Sequence, residues 1–174
     1  MFDGWEEYFL MIGSSAAALI GLMFVVMTLT AGRDPAELER GKKFYTSPIV
    51  WHFAVILLLS GLAIAPTIPV AMFGWLCVGL GALGIAMGIR SVIGISRTFS
   101  SSDPGFDAMW YGIAPAIVCA GLIVAGFGVL GGHRWGATAI GTDLMALLLV
   151  GIHAAWDLVT YLAPTAGQAS DPKN

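Results

Sequence analysis

Apolar residues fall into five long runs along this chain, separated by short polar breaks. The runs cover residues 8–30, 48–70, 72–96, 108–130 and 137–163. A helix needs about 20 predominantly apolar residues to cross a bilayer. Each run meets that length, so the pattern predicts an all-α, polytopic membrane protein with about five transmembrane helices. The second and third runs nearly touch. Pro66 and Pro69 supply the break between them, because proline ends or kinks a helix. Residues 1–163 then form a single transmembrane domain, and 164–174 form a polar tail.

Composition strengthens this picture. Charged residues make up 11% of the chain and apolar residues 57%, with a mean hydropathy of +0.84. A soluble domain carries roughly 25% charged residues, so no stretch outside the runs is long enough to build a separate soluble core. Nothing in the chain forms a basic patch for nucleic acid. Cys77 and Cys119 sit inside apolar runs and read as small buried hydrophobes in a reducing setting. The N-terminus opens on Asp3, Glu6 and Glu7 rather than on basic residues, and its apolar run is long. It is therefore expected to stay as a spanning helix rather than act as a cleavable signal.

Charge placement predicts orientation. Arg33, Arg40, Lys42, Lys43, Arg90, Arg97 and Lys173 fall on one side of the predicted helices, and Arg134 alone falls on the other. Basic residues favour the cytoplasmic side. The expected topology has the N-terminus outside and the C-terminus in the cytoplasm. Trp5, Trp75, Trp110 and Trp135 are expected at the two interfaces. In the first loop, Asp34-Pro35-Ala36-Glu37 has the order of a helix cap, and Gly41 can end a short surface helix there.

Small residues recur every three or four positions: Gly13, Ala17 and Gly21; Gly84 and Gly88; Gly112, Ala116 and Ala120. Such faces let membrane helices pack closely, either within one bundle or between copies in a homo-oligomer. Pro115 is expected to kink the fourth helix.

Polar residues inside the runs carry the candidate chemistry. A charge in the bilayer core is costly, and such residues usually face the protein interior. His52, Arg90, His153 and Asp157 stand out, joined by Asp143. With a rise of about 1.5 Å per residue, His52 lies about 10 Å, Arg90 about 9 Å, His153 about 5 Å and Asp157 about 10 Å to the cytoplasmic side of mid-span. They are expected to form one polar layer drawn from three helices. His153 and Asp157 are four residues apart and share a helix face. Asp143, Ala146, Val150, His153, Asp157 and Thr160 form a continuous stripe on the fifth helix, and Ser14, Ala17, Gly21, Phe24 and Thr28 a comparable one on the first.

Three readings of the layer follow. It pins the helices structurally, with Arg90 paired to Asp157. It lines a proton or ion path, since histidine titrates near neutral pH and a neighbouring carboxylate tunes it. Or His52 and His153, from different helices at nearby depths, bind haem or a metal. No hydrolase elbow, phosphate loop or clustered Cys/His metal motif is present, so the expected role is non-enzymatic. The leading expectation is an oligomeric channel or transport-like assembly. Its alternatives are a haem- or metal-binding redox subunit and an accessory subunit packed against a larger membrane complex.

Three stretches carry a resemblance. These are Trp5 to Val26 with Tyr8-Phe9, Gly13, Ala16-Ala17-Ala18 and Gly21-Leu22-Met23-Phe24-Val25; Thr46-Ser47-Pro48-Ile49-Val50-Trp51-His52-Phe53; and Gly151-Ile152-His153-Ala154-Ala155-Trp156-Asp157. Together they resemble a family of small, uncharacterised bacterial five-helix inner-membrane proteins. That resemblance implies the same five-helix plan and no particular activity. Family members often carry Asn where this chain has Ala154 or Ala155, so a shared polar site built on that amide is not implied here.

Overall fold

The computed structural model describes residues 2–29, 47–98 and 109–162. The expected surface helix near Asp34 and the polar tail lie outside these residues. The described chain is all-helical: α1 (Glu6–Leu29), α2 (Ser47–Ile64), α3 (Val70–Thr98), a π-helical turn (Met109–Ile113) that runs directly into α4 (Ala114–Leu130), and α5 (Trp135–Leu162). Four stretches are long and apolar enough to cross a membrane: Glu6–Thr28, Val70–Ile93, Met109–Leu130 and Trp135–Asp157. The helix α2 is shorter. Its 18 residues span about 27 Å, close to the roughly 30 Å of a hydrocarbon core. The second apolar run was expected to reach residue 70, but helix stops at Ile64. Residues 65–69 then form the turn, with Pro69 offering its carbonyl to the Phe73 amide at the start of α3.

The tightest seam joins α3 and α4, and glycine makes it possible. Gly74 faces Gly126, Gly81 faces Cys119, and Gly88 faces Gly112. Each step of seven along α3 matches a step of seven back along α4, so the pair is antiparallel with one unbroken register. Backbone touches backbone at all three levels. A Cβ on Gly81 would sit 2.7 Å from the Cys119 carbonyl oxygen, and one on Gly126 2.9 Å from that of Gly74. A seven-residue repeat is the spacing of left-handed helix packing. Of the small residues in the fourth run, Gly112 and Ala116 meet Gly88, whereas Ala120 is exposed and Cys119 and Gly126 continue the face toward α3.

The second seam, between α4 and α5, repeats the device. Gly128 meets Gly136, and seven residues along Gly121 meets Asp143. The two helices are joined by a tight turn whose geometry closes α4 in the Schellman manner. The Gly132 amide donates to the Val129 carbonyl and the His133 amide to that of Gly128, with Gly132 at φ +68°. The first helix packs on α2, where Gly13 receives the Ser60 side chain, and on α5, where the Tyr8 hydroxyl donates to the Gly141 carbonyl at 3.0 Å. Gly151 of α5 gives the Phe53 ring of α2 its place. Phe9, Phe53, Ile56, Leu122, Ile140 and Leu144 are fully enclosed between the helices.

Small residues divide between two uses. Gly13, Gly84, Gly88, Gly112 and Ala116 serve packing inside the bundle. Ala17 and Gly21 point outward with Ser14, Phe24 and Thr28, so the stripe on α1 lies on the outer surface. Pro115 is accommodated by a change of winding. Its missing N–H would have donated to the Tyr111 carbonyl, and the π turn ending at Ile113 supplies the local slack.

Candidate functional site: a histidine–carboxylate cluster on α5

The fifth helix presents Gly136, Asp143, Val150 and Asp157 at steps of seven along its α4 side, with His153 one turn before Asp157. Beyond Pro115 the π turn carries α4 toward this end of α5 and delivers two aromatic side chains to it. The Tyr111 hydroxyl donates to Asp157 Oδ2 at 3.3 Å. The Trp110 ring lies over His153, with centroids 4.2 Å apart. His153 Nε2 is 3.5 Å from the same Asp157 oxygen, an ion-pair distance longer than a good hydrogen bond. Thr160 donates to the Asp157 backbone carbonyl at 3.0 Å, leaving both carboxylate oxygens to the cluster. The side chains of His153 and Asp157 keep 38% and 35% of their surface open. His153 Nε2 itself is enclosed, without a hydrogen-bond partner among the described residues.

Chemically, the arrangement is a short relay. A phenol, a carboxylate and an imidazole meet at one oxygen, and each can hold or pass a proton. Neither Trp110 nor Tyr111 was legible as part of this site in the sequence. Trp110 was expected at the interface, and Tyr111 was not singled out. The one available clue was an aromatic pair just ahead of the helix-distorting Pro115.

The expected four-residue layer is only partly assembled. His52 is buried at 5% exposure, beside the Trp51 ring. It sits next to Phe53, whose ring meets Gly151, so register brings His52 and His153 toward the same end of the bundle. Arg90 does not join them. It is exposed, and no ion pair links it to Asp157 among the described residues. The reason is helical geometry: Gly88 must face α4, and Arg90 lies about 200° further around α3. Pairing of Arg90 with Asp157 is thus replaced by pairing of His153 and Tyr111 with Asp157.

Asp143 stands apart from the cluster, ten residues earlier on α5. One carboxylate oxygen fits the notch left by Gly121, and Oδ2 is enclosed without a hydrogen-bond partner among the described residues. Cys77 and Cys119 are buried, free and within electrostatic range of it. His133 is exposed and stacks on Trp135 in the α4–α5 turn. No group of three or more metal-ligating side chains occurs among the described residues. No family model matches the chain, and no curated protein or solved structure matches it either.

Proposed function

We propose that this chain is a five-span integral membrane protein of a bacterial inner membrane, N-terminus outside, that acts as an oligomeric channel or transport-like assembly. In this reading the His153–Asp157–Tyr111 cluster handles the transported proton or cation. The observation that carries it is the meeting of imidazole, carboxylate and phenol at one seam of an otherwise apolar bundle. Polar groups at such depth are expensive to keep, and in membranes they mark pathways by default. The Asp157 side chain keeps 35% of its surface open, while His153 Nε2 is enclosed beside it. The outward small face of α1, with Ser14, Ala17 and Gly21, supports assembly between copies.

Flux through liposomes tests the proposal. Wild-type protein should dissipate an imposed proton or cation gradient, and His153→Ala and Asp157→Asn should slow this by tenfold or more. A wild type without flux, or two variants that keep it unchanged, would sink the reading.

A haem- or metal-binding role is the second reading, and the shared level of His52 and His153 is what favours it. A Soret band in the purified protein would support it, and a colourless preparation would end it. Stoichiometric co-purification with a larger membrane complex would move the function to an accessory role.

A further inference from the structure

Asp143 holds one enclosed carboxyl oxygen in the α4–α5 seam, apart from the cluster. Asp143 lies about 4 to 5 Å from the middle of the Trp135–Asp157 span, near the centre of any bilayer the bundle crosses. Oδ1 occupies the space that a side chain on Gly121 would need, and Oδ2 is shut off without a donor among the described residues. The titratable groups facing this region are few. They are Cys119 on α4, Cys77 on α3, and Tyr8 on α1, whose hydroxyl is committed to the Gly141 carbonyl. On α2 the nearest is His52, which register places near His153, about 15 Å along the axis. Of the cations whose side chains are described, Arg90 is exposed on α3, and Arg134 is exposed in the turn about 13 Å away along α5.

Among the described residues, no donor reaches Oδ2. Ionised groups in apolar surroundings neutralise rather than stay charged and unpaired. A proton on Oδ2 removes the charge while leaving the Gly121 notch filled.

We infer that Asp143 is a proton-binding site at mid-depth, held as the neutral acid in the notch opposite Gly121. This goes beyond the transport reading, because the proton is held there whether or not the bundle supports flux. Glycine at 121 is then the complement of the carboxyl, since any side chain would expel Oδ1 from the seam.

Infrared spectroscopy reads the proton directly. Wild type and Asp143→Asn are compared in lipid at neutral pH. The expected difference is a carbonyl stretch of a protonated carboxylic acid, present in wild type and lost in the variant. Loss of carboxylate bands instead would overturn the inference. Should the variant fail to fold, wild type alone gives an answer. A carboxylic-acid carbonyl band that shifts down in deuterated water is expected in wild type at neutral pH, and the absence of any such band would overturn the inference.

Discussion

Replacing Gly81 with alanine probes the α3–α4 seam where a new Cβ would come nearest the partner's backbone. The new Cβ would lie 2.7 Å from the Cys119 carbonyl oxygen and 2.7 Å from Ile123 Cγ1. The isoleucine tip can turn away, but the carbonyl belongs to helix backbone and moves only if α4 moves. The helices must separate by about half an ångström. That forfeits about a quarter of each contact well of about 0.1–0.2 kcal/mol along the seam. The gap is shared with the backbone contacts at Gly74/Gly126 and Gly88/Gly112, two turns away on either side. Overpacking of this kind costs about 1–3 kcal/mol. Gly79 is the control: it is exposed on the same helix, and nothing lies within 4 Å of its Cβ position. There alanine should stabilise by up to about 1 kcal/mol through helix propensity alone. The two variants should therefore differ by about 1–4 kcal/mol in unfolding by sodium dodecyl sulfate from mixed micelles, followed by circular dichroism. Equal stability of Gly81→Ala and Gly79→Ala would refute the backbone-to-backbone seam.

Other perturbations address the remaining contacts. Asp157→Leu should cost about 1–3 kcal/mol in the same unfolding assay, because it removes the acceptor of the Tyr111 hydroxyl and the carboxylate facing His153, whereas the exposed Asp3→Leu should stay within about 0.5 kcal/mol; equal values would contradict the cluster. A double-mutant cycle of Tyr111→Phe with Asp157→Asn should return a coupling of about 0.5–1.5 kcal/mol, and additive losses would show that the hydroxyl does not bond the carboxylate. Ser60→Ala should leave the bundle as stable or up to about 1 kcal/mol more stable, since the buried Ser60 Oγ has no partner among the described residues. A loss above about 1 kcal/mol there would mean that the hydroxyl is bonded. Gly151→Ala should destabilise by about 1–3 kcal/mol, as its Cβ would meet the Phe53 ring at 2.6 Å, and an unchanged melting curve would contradict that contact.

Much of the fold was legible because hydrophobic run length is a one-dimensional property. Four helices end within about two residues of their runs except where proline chemistry intervened, and Pro66 and Pro69 marked the α2–α3 break. The pairing of His153 with Asp157 was legible too, because four residues on a helix always share a face. Which face of α3 would turn inward was not. Arg90 looked buried by depth, yet the Gly74, Gly81 and Gly88 line had already claimed the inner face. That line was hidden because Cys119 fills a glycine position in its partner on α4, which breaks the visible repeat. Tyr111 escaped notice for a different reason. Its aim depends on the π turn ahead of Pro115, and ordinary helical periodicity does not anticipate that winding.

The account stands on five crossings, of which the short α2 is the most demanding. Side-specific labelling of single cysteines at Asp3 and Asn174, in a Cys77→Ala/Cys119→Ala background in intact cells and in inverted vesicles, tests this most directly. The prediction is that position 3 reacts with an impermeant maleimide only from outside and position 174 only from the cytoplasmic side. Reaction of both positions from the same side would show an even number of crossings and contradict the five-span bundle.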